Sequence, residues 1–119
     1  MNNRKTGFDH ESAAAKFLQE KGYIILARNE HNRFGEIDII CISPDKCLVF
    51  TEVKFRTGMA AGDPLEAVDA RKIHKICKAS AFYMGKHPEL ADMQVRYDVI
   101  GIYEHDLIRH IENAFEYVE

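Results

Sequence analysis

The sequence predicts an α/β fold in which a helix, three strands, a second helix and two further strands follow one another along 119 residues. The main observation is a pair of apolar-rich segments, residues 35–42 and 47–56, on either side of the turn-forming cluster Ser43-Pro44-Asp45-Lys46. This pattern predicts a β-hairpin. Helical spacing of apolar residues before and after the hairpin predicts the two helices, and alternation over residues 95–103 predicts another strand.

Composition is that of a soluble globular protein. Hydrophobic residues make up 46% of the chain and charged residues 29%, and the length suits one domain, residues 1–119. No apolar segment approaches the roughly 18 residues of a membrane span, and the first residues, MNNRKTGFDHES, lack the apolar core of a secretory signal. We therefore expect a cytoplasmic protein that is not bound to a membrane.

The three cysteines, Cys41, Cys47 and Cys77, are an odd number without the spacing of a metal site. Reduced and mostly buried thiols are expected in a cytoplasmic protein. A disulfide between Cys41 and Cys47, which lie symmetrically about the hairpin turn, is the alternative.

Charge is distributed unevenly along the chain, whose formal net charge is −3. Residues 1–78 hold 13 Lys and Arg against 11 Asp and Glu, whereas residues 79–119 hold 3 against 8. If some acids of the first part bind metal, its surface is more basic than the formal charge indicates. A polyanion would therefore contact the first part, with the acidic second part turned away.

The first helix is predicted to end at Gly22. Glu11 shares one face of it with the apolar residues Ala14 and Leu18, at the edge of the stripe that faces the core. A carboxylate in this place is either part of a site or an acid stabilised by the helix dipole. Spacing alone leaves both interpretations open.

A short strand is predicted at residues 23–27, and a polar loop at residues 28–34 leads from it into the hairpin. Arg28, His31 and Arg33 of this loop are candidates for contact with phosphate groups. A solvated loop with incidental charges is the alternative, above all for His31.

The hairpin places acidic residues opposite each other. Side chains alternate faces in an extended chain, and a turn centred on Asp45 sets Asp38 opposite Glu52 and Glu36 opposite Lys54. Because directly opposed carboxylates destabilise a strand pair, a divalent cation and the ammonium group of Lys54 are expected to compensate. A solvated outer face with a cross-strand ion pair is the alternative. The opposite face is expected to form a core from Ile37, Ile39, Val49, Val53 and Phe55.

The second helix is predicted to begin with Asp63 as N-cap and Pro64 at its first position, after a loop of small residues at 57–62, and to continue to about Lys86. No Asp or Glu occurs between residues 70 and 88. The basic residues of this helix, together with one at the end of the hairpin, are candidates for phosphate contacts by counterion release. They are Arg56, Arg71, Lys72, Lys75 and Lys78. A solvated basic face is the alternative.

The C-terminal part is predicted to contain strands at residues 95–103 and 107–111. Arg96 and Asp98 share a face of the first of them, which favours a structural salt bridge over an auxiliary role in a site. The last residues are expected to dock on the core through Ala114, Phe115, Tyr117 and Val118.

One ordered set of motifs covers about residues 7 to 115. Its centre is Asp38 followed by Glu52-Val53-Lys54. Its other members are Glu11, Gly22-Tyr23, Arg28-Asn29, Gly35-Glu36-Ile37, Phe50-Thr51, Pro64, Glu66-Ala67-Val68, Arg96-Tyr97-Asp98-Val99 and Ala114-Phe115. The set resembles the YraN-like family of small uncharacterised bacterial proteins, which is related to Holliday-junction resolvases in the PD-(D/E)xK nuclease superfamily. The segment NEHNR, residues 29–33, departs from the aromatic-then-basic pattern expected of the family there.

The resemblance implies a restriction-endonuclease-like mixed β-sheet of about five strands flanked by helices, with the acids on a central hairpin. It also implies a homodimer that acts on branched DNA. Asp38 and Glu52 would hold Mg²⁺ or Mn²⁺, with Glu11 as a further or water-mediated ligand. Lys54 would orient or activate the attacking water and offset developing negative charge.

We therefore expect residues 1–119 to form a single endonuclease-like domain that acts on DNA phosphodiesters with a divalent metal. No His/Cys cluster indicates zinc, and no glycine-rich loop indicates a nucleotide. Two alternatives remain open at this point. One is a nucleic-acid-binding module of the same fold with little or no turnover, and the other is a scaffold that binds another protein through its acidic C-terminal half.

Overall fold

The structure, a computed structural model, describes residues 3–56, 68–104 and 107–119, with side chains from residue 10 onwards. Its elements follow the predicted order. They are helix α1 (Asn3–Glu20), strands β1 (Ile24–Asn32), β2 (Gly35–Ile42) and β3 (Leu48–Arg56), helix α2 (Ala70–Gly85), a 3-10 turn (Pro88–Leu90), and strands β4 (Val95–Tyr103) and β5 (Ile108–Phe115). No helix in these ranges is long and apolar enough to cross a membrane.

The five strands form one mixed sheet in the order β1-β2-β3-β4-β5. β3 and β4 are parallel, and all other neighbours are antiparallel. Parallel neighbours need a crossover connection, and α2 lies in the connection between β3 and β4. The mixed sheet of about five strands flanked by helices, expected from the resemblance, is therefore confirmed.

Each face of the sheet is covered by one helix. On one face Ala14 and Leu18 of α1 pack with Ile39, Val49 and other buried residues of the central strands. On the opposite face Ile76 and Ala79 of α2 pack with Ile40, Phe50 and Val99 in a second cluster. Burial on both faces explains why β3 and β4 contain continuous apolar runs, at residues 48–50 and 99–102.

The prediction of a core on one hairpin face was wrong in part. Ile37 packs in the α2 cluster, whereas Ile39 packs in the α1 cluster. The strand changes face between these two residues. On β1 the corresponding position, between the partners of Ile39 and Ile37, is Asn29, which has a left-handed φ of 52°. Phe55, predicted as a core residue, is 42% exposed near the end of β3, where its ring stacks on that of His10.

Strand β1 is longer than the sequence predicted. Residues 28–32, expected to be loop, continue the strand and pair with β2 as far as Asn32 opposite Gly35. Charged residues suit this position because β1 is at the edge of the sheet. Only Arg33 and Phe34 remain for the turn into β2.

Helix α2 begins at Ala70, with Asp69 as N-cap accepting a hydrogen bond from the backbone N–H of Lys72 at 2.9 Å. A continuous helix from Pro64 is therefore wrong, because Val68 and Asp69 are not helical. The predicted N-cap Asp63 and the predicted loop at 57–62 lie outside the described residues. The predicted end near Lys86 is confirmed, since Lys86 is the C-cap.

The C-terminal strand β5 extends to Phe115, four residues beyond the predicted end. Ala114 and Phe115 pack against the α2 cluster as expected. Tyr117 and Val118 are 49% and 44% exposed, so the prediction that they dock was wrong. They follow the last strand pair and have no ladder partner.

All three cysteines are buried and unbridged, as predicted. Burial raises the pKa of the Cys41 thiol to about 12, so it is not a thiolate nucleophile at neutral pH.

Candidate active site

The predicted hairpin register is confirmed. β2 and β3 pair from Ile42 opposite Leu48 to Ile39 opposite Thr51, and Asp38 and Glu52 are the next residue on each strand. The paired ladder ends there, and the Oδ2 atom of Asp38 accepts a hydrogen bond from the backbone N–H of Val53 at 2.8 Å. The two acids therefore lie where the strands of the hairpin begin to separate.

The Asp38 and Glu52 carboxyl groups are directly coupled. Burial, followed by the hydrogen bond and the negative charge of Glu52, raises the pKa of Asp38 to about 8. At neutral pH the pair consequently retains a proton, because two neighbouring carboxylates shielded from water resist joint ionisation.

Glu52 is held by two lysines. Its side chain is 3% exposed, and its Oε2 atom lies 3.5 Å from Nζ of Lys54 and 3.2 Å from Nζ of Lys72. Burial alone would lower the pKa of Lys72, but the attraction of Glu52 outweighs it and raises the pKa. Lys72, predicted from the sequence only as a surface phosphate contact, is thus placed at the acids by the first turn of α2.

Glu11 of α1 is near the acid pair but makes no direct contact with it. Its Oε1 atom is buried and has no hydrogen-bond partner among the described residues. Burial, then the charge of Glu36, raises the pKa of its carboxyl group. In the described ranges no group of three His, Cys, Asp or Glu side chains is arranged to hold a metal ion. Metal binding by Asp38 and Glu52, with Glu11 as a further ligand, stays a prediction.

The acids open into a cleft of about 240 Å³. Its lining comes from α1, the hairpin and α2, namely His10, Glu11, Asp38, Glu52, Val53, Lys54, Phe55 and Lys72. His10 was not among the residues predicted for the site; its ring stacks on that of Phe55 with centroids 3.9 Å apart. Its position directly before Glu11 is the one signal in the sequence. A larger cavity of about 430 Å³ lies near Met84, Tyr97 and Phe115, away from the acids.

Glu36 does not oppose Lys54 as predicted, because the β2–β3 ladder ends before it. It lies across from His31 on β1, with its Oε1 atom 3.5 Å from Nε2 of His31. The third acid of the hairpin is therefore near the start of β2, beside the β1–β2 turn and outside the lining of the acid cleft.

The other predicted phosphate contacts are spread over two regions. Arg28 donates a hydrogen bond to Oγ of Ser12 on α1 at 3.1 Å, and Arg56 is half-buried at the end of β3. The remaining four are exposed, on α2 and on the β1–β2 turn beside it: Arg33, Arg71, Lys75 and Lys78. Of all seven candidates, only Lys72 lines the acid cleft.

A second polar network surrounds the fully buried Asp98. Arg96 donates to both of its carboxylate oxygens at 2.9 Å, Nε2 of His110 lies 2.7 Å from Oδ2, and the backbone N–H of Asn113 donates to Oδ1 at 3.0 Å. The predicted salt bridge between Arg96 and Asp98 is confirmed. Nη2 of Arg96 also donates to the Tyr23 hydroxyl at 2.6 Å, which ties β4 to the segment after α1.

Comparison with known proteins decides the family. Residues 10–102 match the model of uncharacterised protein family UPF0102. The chain belongs to this family. A UPF0102 protein of Syntrophomonas wolfei is 42% identical over 116 residues, covering 95% of this chain and 99% of its own. The UPF0102 protein of Marinobacter nauticus is 45% identical over 100 residues, covering 84% and 80%. The YraN-like resemblance seen in the motifs is thereby confirmed.

Among solved structures, the UPF0102 chain is similar to SfsA of Pyrococcus furiosus in complex with Ca²⁺. The TM-score is 0.32 and the sequence identity 11%, and the match covers 93% of this chain and 64% of that one.

Proposed function

We propose that this UPF0102 protein is a metal-dependent nuclease that hydrolyses DNA phosphodiesters. The observation that carries the proposal is the neighbouring Asp38–Glu52 pair, in which burial, followed by the hydrogen bond and the negative charge of Glu52, raises the pKa of Asp38 to about 8. An acid pair that only bound DNA would repel the phosphates it faces. Opposed carboxylates at a cleft instead suit a divalent cation bridging protein and phosphate.

The side chains present fit Mg²⁺ or Mn²⁺. All the candidate ligands are carboxylate oxygens, which these ions prefer, and one or two carboxylates completed by water and phosphate are the usual set for Mg²⁺. Asp38 and Glu52 would hold the ion, and the buried, unpartnered Oε1 atom of Glu11 would accept a hydrogen bond from a water of that set. A bound ion would supply an activated water and polarise the phosphoryl group.

The lysines have separable roles. Lys54, 29% exposed and next to Glu52, is the candidate to orient the attacking water and to offset negative charge on the phosphate. Lys72 partly neutralises Glu52 from the α2 side and keeps its carboxylate oriented. The backbone N–H of Val53 fixes one oxygen of Asp38 in the same way. Exposed Arg71 and Lys75 on α2 extend positive charge away from the cleft, where they would attract DNA without reading its sequence.

The test is cleavage of end-labelled duplex, flap and four-way-junction DNA by the purified protein in Mg²⁺, Mn²⁺ or EDTA. We expect cleavage with Mn²⁺ or Mg²⁺ and none in EDTA. In Glu52→Gln, purified in parallel, cleavage should fall by at least about 100-fold, a scale typical for loss of one key electrostatic group. Lys16→Gln, an exposed change on α1, controls for purification and charge.

A binding module without turnover is the second candidate. It is favoured by Lys54 and Lys72, because both ammonium groups contact Glu52 and offset its negative charge. In that case Asp38→Asn and Glu52→Gln would bind DNA as well as or better than wild type, and none of the three DNAs would be cut under any metal condition. That pair of results would contradict the nuclease proposal.

A further inference from the structure

Outside the acid cleft, two phenylalanines and three cations form a compact surface cluster, here called the aromatic patch: Arg33, Phe34, Lys78, Phe82 and Lys86. The Phe34 and Phe82 rings meet edge to face with centroids 5.7 Å apart. The guanidinium carbon of Arg33 lies 5.0 Å from the Phe34 centroid and 5.7 Å from that of Phe82. Nζ of Lys78 is 6.0 Å from Phe34, and Nζ of Lys86 is 5.0 Å from Phe82.

The fold holds this patch in place from two sides. Positions 71, 75, 78, 82 and 86 recur every three or four residues, so they form one stripe along α2 and its C-cap. The β1–β2 turn is tied to the same helix by Asn32, whose Nδ2 donates to the backbone oxygen of Ala79 at 3.1 Å. The backbone N–H of Phe34 in turn donates to Oδ1 of Asn32 at 3.0 Å. Arg33 is therefore presented on an anchored turn.

The positive charge of the patch has no carboxylate partner within residues 10–56, 68–104 and 107–119. Arg33, Lys78 and Lys86 are exposed, and among the described residues none of them forms a salt bridge with a carboxylate. Residues 70–85 contain no Asp or Glu. A guanidinium group held over aromatic rings keeps its flat, weakly hydrated surface available for a further planar partner.

We infer that the aromatic patch binds unpaired nucleotides of a nucleic-acid strand. A base stacks on the exposed side of the Arg33 guanidinium group, and Lys78 and Lys86 contact the neighbouring phosphates. Bases stack on arginine planes and aromatic rings where nucleic acid is single-stranded, whereas paired bases are shielded by their own helix.

The patch also has a defined place relative to the acid cleft. Phe82 follows Lys72 by ten residues on α2, which corresponds to about 15 Å along the helix axis. A strand whose phosphate lies at Lys72 would run past Lys75 to reach Lys78 and the rest of the patch. The choice of nucleic acid rests on the proposed function, and it predicts substrates with a single-stranded segment beside the cut.

The experiment measures binding without cleavage, in EDTA. Fluorescence anisotropy compares a labelled single strand with a duplex of the same length, for wild type, Arg33→Lys and Lys16→Gln. Arg33→Lys keeps the charge and removes the planar group, so single-strand affinity should fall about tenfold while duplex affinity stays within about twofold. Lys16→Gln removes one exposed charge from α1 and should leave the preference unchanged.

A stacking probe separates geometry from charge. A series of single strands carries 2-aminopurine at successive positions. At one position the fluorescence of the probe should fall when wild type binds, and it should fall much less when Arg33→Lys binds. Phe82→Leu, which keeps an apolar side chain under Arg33, should behave like Arg33→Lys, with its unfolding midpoint checked by thermal melting. Equal losses of single-strand and duplex affinity, or no quenching at any position in wild type, would overturn the inference.

The two proposals fail separately. Suppose cleavage depends on Asp38 and Glu52 but Arg33→Lys has no effect on single-strand binding. This result would contradict the proposed role of the aromatic patch and support the nuclease proposal. A single-strand preference that depends on Arg33, with no cleavage under any metal condition, would keep the patch and support the binding module.

Discussion

In Asp38→Asn, loss of metal-dependent cleavage is expected together with a more stable metal-free fold at high pH. The variant lacks one of the two carboxylates proposed to hold the ion, so cleavage should fall by at least about 100-fold. It also lacks the ionisable group whose pKa burial, followed by the hydrogen bond and charge of Glu52, raises to about 8 in the wild type.

The sign of the pH effect follows from this raised pKa. An unfolded Asp has a pKa of about 3.9, so between about pH 4 and 8 the folded wild type binds a proton that the unfolded chain has lost. The contribution of Asp38 is fully present below pH 4 and is lost as pH rises through 8. At pH 9 in EDTA we expect Asp38→Asn to exceed wild type in free energy of unfolding by about 1–3 kcal/mol, with the difference vanishing near pH 4.

Urea unfolding of both proteins from pH 4 to 9 measures this difference. Asp92→Asn, an exposed change in the turn before β4, is the matched control and should follow the wild-type profile. Parallel profiles for wild type and Asp38→Asn would show that Asp38 is ionised in the metal-free fold and would contradict the coupling to Glu52.

In Asp98→Asn, the free energy of unfolding at pH 7 is expected to fall by about 3–5 kcal/mol. Asp98 is fully buried, and its removal leaves the largely buried guanidinium group of Arg96, whose side chain is 12% exposed, without its main counter-charge. Burial alone would raise the pKa of Asp98, but hydrogen bonds from His110, Arg96 and the backbone of Asn113 outweigh it and lower the pKa.

Because that pKa is lowered, the stabilisation by Asp98 is present above about pH 4 and is lost as pH falls through the folded-state pKa. The difference in free energy of unfolding between wild type and Asp98→Asn should therefore narrow in acid. Its sign is opposite to that for Asp38→Asn, because here the wild type is the more stable protein. Glu112→Gln is the matched control, since Glu112 contacts the same Arg96 at 3.3 Å from a half-exposed position. Glu112→Gln should lower the free energy of unfolding by no more than about 1 kcal/mol. If Asp98→Asn and Glu112→Gln lowered the free energy of unfolding by similar amounts, the result would contradict a special contribution of the Arg96–Asp98 ion pair.

The centre of the site was predictable because a short turn fixes hairpin register. Once Asp45 marks the turn, the opposition of Asp38 and Glu52 follows from alternation alone, and the structure places them together. The end of the ladder at Ile39 was not predictable in this way. It depends on β3 continuing beside β4 while β2 continues beside β1, and this moves Glu36 away from Lys54.

Other features depend on tertiary packing that periodicity does not encode. A polar segment such as residues 28–32 looks like loop, yet at a sheet edge its charges remain solvated and its backbone completes the ladder. The basic side of α2 was visible in the sequence, but its orientation was not. Only packing shows that Lys72 contacts Glu52 whereas Lys78 lies over Phe34.

The parallel pairing of β3 and β4 has a consequence for how the protein folds. The hairpin that brings Asp38 and Glu52 together is local in sequence, whereas Lys72 reaches them only when the crossover containing α2 has docked. Local contacts close fast and distant ones slowly. The like charges are therefore expected to meet with Lys54 beside them but before Lys72 arrives, so protonation of Asp38 should speed hairpin closure. Refolding in EDTA should accordingly be faster at pH 6 than at pH 9, and this difference should disappear in Asp38→Asn.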